Sequence, residues 1–179
     1  MHALIVYESM FGNTHAVADD IAEGLRPAFD VTVVPVSEAT DELIAVADLL
    51  VCGGPTHAHS LSGDVSRHAA KEMADSEDSG LVMDSDAGGP GLREWFHGFD
   101  HRHMSAAAFD TRFEGEAAAT GRASLQIALR LRRHGYVMVV SPESFLVDEH
   151  NHLLSGENER AMKWGASVAT AVLERSQIG

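Results

Sequence analysis

The chain has 179 residues, of which 45% are hydrophobic and 22% are charged, so its composition excludes collagen-like, coiled-coil and wholly disordered proteins. The formal net charge is −14, which disfavours nucleic acids and anionic membrane surfaces as partners because both are bound through basic side chains. No apolar run approaches the roughly 18–20 residues that span a bilayer, and no basic segment precedes the first apolar run, so we expect no membrane insertion and a cytoplasmic location.

Short apolar runs alternate with segments of helical periodicity along the chain. Strands are predicted at residues 2–7, 31–34, 48–52, 104–109 and 136–140, with a short extra strand at 145–148. Helices are predicted at residues 16–25, 43–46, 63–75, 90–96 and 125–131, followed by a last helix capped by Ser155. The Gly-Gly-Pro sequence at 53–55 is predicted to end the third strand. Ser, Asp and Gly predict a mobile loop at 77–91 within a single domain of residues 1–179.

The strands are continuous apolar runs rather than alternations of apolar and polar residues, and this pattern is typical of strands that are buried on both faces. Because strand and helix alternate five times, we predict an α/β fold in which a parallel sheet carries helices on both faces. Ligands bind to such sheets beyond the carboxyl ends of the strands, where the strand order reverses. The loops after the first, third and fourth strands are therefore the candidate functional site.

The loop after the first strand is Ser9-Met10-Phe11-Gly12-Asn13-Thr14, and it leads into the first turn of a helix. Free backbone N–H groups and the helix dipole favour an anion at such a point. The chain lacks a GxxxxGK[ST] motif and has no GxGxxG motif after the first strand, so a monophosphate fits this loop better than a pyrophosphate. An ordinary capped turn has the same residue types, and the loop alone leaves both interpretations open.

The loop after the third strand combines small residues with imidazole rings. Gly53 and Gly54 are expected to let the backbone approach a ligand closely. The following residues, Pro55-Thr56-His57-Ala58-His59, form a polar rim on which a flat heterocycle can rest. Two histidines at this spacing also suggest a metal, but no carboxylate or cysteine joins them at a recognised ligand spacing, so no metal site is predicted.

The loop after the fourth strand contains Thr111-Arg112-Phe113. Phe113 can cover a flat ring by stacking. Arg112 can meet the anionic edge of a ring, or it can simply pair with Asp110 or Glu114. A separate group of histidines, at positions 97, 101 and 103, precedes the fourth strand and is interpreted either as a solvated connector or as a weak metal site.

These three loops resemble those of flavodoxin-like FMN-binding proteins, and the resemblance covers nearly the whole chain in element order. It is sharpest at residues 7–14, YESMFGNT, which are similar to the family's phosphate loop: Ser9, Gly12, Asn13 and Thr14 match, whereas Phe11 stands where the family usually has threonine. Residues 54–56, GPT, resemble the start of the family's isoalloxazine loop. Residues 109–112, FDTR, resemble the end of the fourth strand in a little-characterised flavodoxin-like subgroup.

The resemblance implies a flavodoxin-like three-layer sandwich whose five-stranded parallel sheet has the order 2-1-3-4-5. It implies FMN as the cofactor. The phosphate would be bound by residues 9–14, and the isoalloxazine ring would be flanked by residues 55–59 and 111–113. The chain departs from the small electron-carrying members of the family, because the two loops that flank the ring carry no Trp or Tyr to sandwich it, only His57, His59 and Phe113.

The function expected from this resemblance is electron transfer to a redox partner protein or to a small electron acceptor. No side chain need act as an acid or base, although His57 or His59 could deliver a proton near the flavin ring. Two alternatives stay open. The chain could be an NAD(P)H-dependent, quinone-type flavin reductase, or it could be a flavin-free binding or regulatory module that keeps the fold.

Overall fold

The computed structural model describes residues 1–57, 59–76 and 79–177. The strands in this part of the chain are β1 (His2–Tyr7), β2 (Asp30–Pro35), β3 (Leu49–His57), β4 (Ser60–Leu61), β5 (Ser105–Phe113), β6 (Val137–Met138) and β7 (Glu143–Val147). The helices are α1 (Asn13–Leu25), α2 (Asp41–Val46), α3 (Asp64–Ala74), α4 (Leu92–Trp95), α5 (Ala117–Thr120), α6 (Ala123–Arg133) and α7 (Glu157–Ser176). None of the described helices is both long enough and apolar enough to cross a lipid bilayer.

The sheet has the order β2-β1-β3-β5-β6, and neighbouring strands along this path are parallel. The edge position is shared, because β6 pairs with the start of β5 and β7 pairs with its end. The two-residue strand β4 folds back antiparallel on β3. Counting the shared edge once, the predicted parallel sheet and its order 2-1-3-4-5 are confirmed.

Alternate residues of the central strands pack against different helices, which explains the continuous apolar runs of the sequence. In β1, Ile5 and Tyr7 face a core built with α1 and α7. Leu4 and Val6 face the opposite core, to which α2, α4 and α6 contribute. Both faces of the sheet are therefore covered, and Cys52 in the middle of β3 is fully buried.

Helices α1 and α7 cross at two glycines that let their backbones touch. A Cβ atom on Gly24 would meet the backbone of Met162, and a Cβ atom on Gly165 would meet the carbonyl of Ile21. Neither neighbour can move away easily, because both are helical backbone. The two glycines thus set how closely these helices pack over the sheet.

Several predicted boundaries are wrong. Strand β3 does not end at Gly53-Gly54-Pro55 but continues through these residues to His57. Strand β5 continues to Phe113, so residues 111–113 lie on a strand rather than in a loop. The glycines are required by packing, since a Cβ on Gly53 would strike the Phe109 ring. The predicted strand at 136–140 is shorter in the structure, where β6 covers Val137–Met138 and the Val139 N–H still donates to the carbonyl of Ala106 at 2.9 Å. The last helix is preceded by Gly156 in a left-handed conformation, and Ser155 is not its cap.

Replacing Gly165 by alanine is expected to lower the free energy of unfolding by about 1–3 kcal/mol, because overpacking outweighs the gain in helix propensity. Urea unfolding followed by circular dichroism measures the change. Gly98→Ala is the matched control, since an added methyl group there meets no atom within 4 Å. If the Gly165 variant is as stable as the original chain, the close crossing of α1 and α7 is contradicted.

Candidate functional site

A cleft of about 480 Å³ opens at the carboxyl ends of β1, β3 and β5. It brings together most of the residues predicted from the sequence: Met10, Phe11, Asn13, Thr14, Pro55, Thr56, His57, His59, Thr111, Arg112 and Phe113 line its wall. Ser9 and Gly12 belong to the same loop but are not among the lining residues. Ala58 lies outside the described residues, as do Glu77 and Asp78 of the predicted mobile loop.

The phosphate-type loop, residues 9–14, ends in a helix start that no side chain caps. Gly12 precedes α1 with φ 88°, a left-handed conformation that favours glycine, and its N–H donates to Ser9 Oγ at 3.1 Å. The first turn of α1 contains no acidic side chain. Its N–H groups have no partners within the helix, so they and the helix dipole are directed toward an incoming anion.

Helix α7 begins in the same way, but acidic side chains of its own complement the positive end of its dipole. It also follows a left-handed glycine, Gly156 with φ 87°, but carries Glu157 and Glu159 in its first turn. Glu157 also accepts a hydrogen bond from Leu146 N–H at 2.7 Å. The negative charges that complement the dipole of α7 are internal, whereas α1 has none of its own in that turn.

Two hydrogen bonds tie the phosphate-type loop to the rest of the cleft. The buried hydroxyls of Thr14 and Thr111 lie 2.7 Å apart and join α1 to β5. Asn13 Nδ2 donates to the carbonyl of Asn151 at 2.8 Å, which fixes the turn between β7 and α7 beside the loop. When Thr111 donates to Thr14 Oγ1, the Thr14 proton stays available to a ligand.

The extended end of β3 is held by a buried carboxylate. Thr56 Oγ1 donates to Asp110 Oδ2 at 2.9 Å and accepts from Ala123 N–H at 2.9 Å. Asp110 Oδ2 also accepts from Ser124 N–H at 2.9 Å. Burial raises the pKa of Asp110, although these donors act in the opposite direction. This network fixes β3, β5 and the start of α6 relative to one another below the cleft.

The two histidines of the cleft have different surroundings. His57 is half-buried, and burial together with the charge of Arg67 lowers its pKa. His59 is exposed, with φ 71°, and it forms an isolated bridge with Gly121. The two imidazoles thus differ in exposure, since that of His57 is half-buried and that of His59 faces solvent.

Arg112 is engaged within the protein. Its Nη1 donates to the carbonyl of Gly115 at 2.9 Å and to Thr120 Oγ1 at 2.9 Å, so in the described part of the chain its partners are these oxygens and not the carboxylates of Asp110 or Glu114. The alternative that it pairs with those acids is therefore wrong. Phe113, at the end of β5, is 52% exposed and presents its ring at the rim of the cleft.

Sequence reasoning missed part of the cleft wall. Helix α3 contributes Ser66, Ala69, Ala70 and Met73, and the region around β7 contributes Val147 and Asn151. The alanines and Met73 give one wall an apolar surface. The helical pattern of residues 63–75 predicted the helix, but nothing in its periodicity indicated that its apolar face would cover a ligand cleft rather than the sheet.

Glu8 was also missed, although it directly precedes the loop. It is buried, accepts a hydrogen bond from Ser62 Oγ, and accepts another from Leu92 N–H at 2.9 Å. Burial raises its pKa. Glu8 thus anchors the end of β1 to the segments that lead into α3 and α4.

Comparison with known proteins agrees with this architecture. The family model for flavodoxin matches residues 5–115, which is more than half of the chain. The chain belongs to the flavodoxin family. A search of curated proteins gives no match. The predicted family resemblance is thereby confirmed.

Solved structures share the flavodoxin fold at low sequence identity. A flavodoxin from the domain Archaea has a TM-score of 0.65 and 18% identity, over 96% of this chain and 99% of that one. Flavodoxin 1 from Bacillus cereus has a TM-score of 0.65 and 15% identity, over 95% and 98%. Rubredoxin oxygen:oxidoreductase from Desulfovibrio gigas has a TM-score of 0.64 and 16% identity, over 97% of this chain but 36% of that larger one.

The lowered pKa of His57 predicts a pH dependence of stability. The unfolded chain takes up the proton first as the pH falls below about 6.5, so the contribution of neutral His57 to the free energy of unfolding is full above that value and is lost below it. An NMR titration should place the His57 midpoint below 6.5.

The charge of Arg67 can be tested in the same titration. Arg67→Gln should raise the His57 midpoint, whereas Arg67→Lys, which retains the charge, should leave it nearly unchanged. A midpoint at or above 6.5 in the original chain would contradict the burial of this imidazole.

Proposed function

We propose that the cleft binds FMN and that the protein carries electrons through this cofactor. The observation that carries the proposal is the start of α1, which no side chain caps in the described part of the chain and which meets a cleft of about 480 Å³ built from three strand ends. That volume lies in the range of small-molecule sites. Membership of the flavodoxin family supports a flavin as the ligand.

The residues of the phosphate-type loop fit a phosphate monoester. Backbone N–H groups of the Met10–Thr14 segment and the hydroxyls of Ser9 and Thr14 are the donors, and the Gly12 N–H, which donates to Ser9 Oγ, would turn to the phosphate when that hydroxyl does. No lysine is needed because the helix dipole complements the anion. Gly12 keeps the required left-handed conformation at no steric cost. Phe11 contributes backbone rather than a hydroxyl, so one side-chain donor of the usual family loop is replaced.

The walls of the cleft fit a flat ring that extends from the phosphate. Thr56 and His57 on β3 and Thr111 on β5 lie on neighbouring strands, and Phe113 and His59 stand at the rim. The aromatic side chains among the described lining are those of Phe11, Phe113 and the two histidines. Phe113 would stack on the isoalloxazine, and Met73 would cover part of it with apolar surface.

Bound FMN would supply the one- or two-electron redox chemistry. The protein's own residues would hold and orient it: Asp110 fixes Thr56, Thr111 fixes Thr14, and α3 excludes water from one side. His57, kept neutral by burial, could donate its remaining N–H to a ring atom. The redox partner would be a protein or a small electron acceptor, and we propose that it works in the cytoplasm.

The double variant Ser9→Ala, Thr14→Val should weaken FMN binding by about 2–4 kcal/mol, because hydrogen bonds to a charged phosphate are lost. Quenching of flavin fluorescence during titration gives the dissociation constant. The control Ser167→Ala, Thr170→Val makes the same changes on α7, where both hydroxyls bond only to helix carbonyls. Equal dissociation constants for the two double variants would rule out the phosphate assignment.

The purified chain should retain FMN through desalting and show flavin absorbance bands with quenched fluorescence. With FMN bound, it should consume no NAD(P)H in the presence of a quinone unless a partner reductase is added. Steady NAD(P)H consumption by the chain alone would favour the reductase alternative instead. A colourless protein that never takes up FMN would favour the flavin-free module.

A further inference from the structure

Beside the phosphate-type loop, a histidine and two carboxylates converge from distant parts of the sequence. His15 Nδ1 lies 3.4 Å from Asp84 Oδ2 and 4.0 Å from Asp86 Oδ2. One atom from each of the three residues lies within 4.8 Å of the other two, and no other such group of three occurs among residues 1–57, 59–76 and 79–177. The histidines at 97, 101 and 103 form no such group there.

Asp84 carries the observation that points to a ligand. Its side chain is only 4% exposed, and its Oδ2 atom is buried with no hydrogen-bond partner in the described part of the chain. A buried carboxylate oxygen without a donor is costly, and a cation is one of the groups that can satisfy it. This atom faces His15, so a cation bound between the two residues would give the Asp84 oxygen a partner.

We propose that His15, Asp84 and Asp86 bind one divalent transition-metal ion, such as Zn²⁺ or Mn²⁺. Imidazole nitrogen with carboxylate oxygens suits these ions better than Ca²⁺ or Mg²⁺, which take oxygen ligands. Metal–ligand bonds of about 2.0–2.2 Å place neighbouring ligand atoms roughly 3.0–3.6 Å apart, the longer separations belonging to tetrahedral geometry. The 3.4 Å between Asp84 and His15 already lies in this range, and the 4.0 Å between Asp86 and His15 needs to shorten by about 0.4–1 Å.

The surroundings of the cluster orient its ligands. On the opposite nitrogen of the imidazole, His15 Nε2 lies 3.8 Å from Asp19 Oδ2, and a shortening of this contact on metal binding would let the carboxylate set the tautomer of the histidine. The Tyr7 ring stacks on His15 with centroids 4.4 Å apart, and its hydroxyl donates to Asp86 Oδ2 at 2.7 Å. Asp19 and Tyr7 are positioning residues for this site.

The site joins residues 84–86 to the phosphate-type loop. Asp84 N–H donates to the carbonyl of Met10 at 2.8 Å, and Asp84 Oδ2 lies 3.9 Å from the position that a Cβ of Gly12 would take. The carboxylate therefore stands near the anion site of α1, where its charge opposes that of a phosphate. If FMN binds as proposed above, a cation here would offset that charge, so the ion and FMN would each strengthen binding of the other.

Calorimetric titration of the EDTA-treated chain, residues 1–179, with Zn²⁺ tests the metal site without reference to FMN. We expect one tight equivalent, weakened about 100-fold or more by His15→Asn or by Asp84→Asn. Asp19→Asn should weaken it about 10-fold while leaving the melting temperature of the metal-free chain unchanged. The control His68→Asn, Glu72→Gln alters an exposed histidine–acid pair on α3 and should leave the first equivalent unchanged.

Zn²⁺ affinities that are equal in the His15, Asp84 and control variants would overturn the site. The coupling has a separate readout, the FMN dissociation constant with and without saturating Zn²⁺, which we expect to be lower with the ion in the original chain and unaffected in the Asp84 variant. A chain that binds one Zn²⁺ through these residues but takes up no FMN would refute the proposed function and leave the metal site standing.

Discussion

The pairing of β3 with β5 is the constraint on which the cleft depends. Seven consecutive residue pairs run from Leu49–Ser105 to Pro55–Thr111, so both strands continue beyond the point where β1 ends and its chain turns into α1. This pairing is possible because Gly53 leaves room for the Phe109 ring and Gly54 for Leu92. The residues at the strand ends are consequently held by a sheet ladder rather than by a flexible loop.

Buried carboxylates recur near the carboxyl ends of the strands, and each accepts a hydrogen bond from a backbone N–H of another element. Glu8 accepts from Leu92, Asp110 from Ser124, and Glu157 from Leu146. Since each bond supplies an acceptor to a group that would otherwise lack one, the carboxylates stabilise segments that apolar packing alone would leave loosely placed. The acidic composition of the chain is therefore partly structural and does not belong only to a solvated surface.

The sequence predicted the central sheet and its two helix layers well, because strands that are buried on both faces have continuous apolar runs such as residues 2–7. It also indicated most of the cleft residues, because glycine and hydroxyl side chains after a first strand are chemically distinctive. It failed where the outcome depends on a distant partner. The glycines at 53 and 54 indicated a break when considered locally, but they are strand residues that face large side chains.

The same limitation explains the residues that were missed. Nothing near Asn13 indicates that its amide will meet Asn151, which is 138 positions away. Asp84 and Asp86 occur in a segment whose composition suggested only a loop, and their proximity to His15 depends on contacts of that segment with Met10 and Tyr7, more than 70 positions earlier. Periodicity reports whether a residue is buried, but it carries no information about which residue of another element lies opposite.

The accessibility of Cys52 to a chemical reagent can report the opening of the core on one face of the sheet. Its thiol is fully buried in β3, between the parallel neighbours β1 and β5, and burial raises its pKa. The sulfur lies in the core that α2, α4 and α6 cover, so an alkylating reagent can reach it only when this helix layer opens away from the sheet. The thiolate is the reactive form. With one cysteine in the chain, the rate of its modification measures how often this core opens, without any added label.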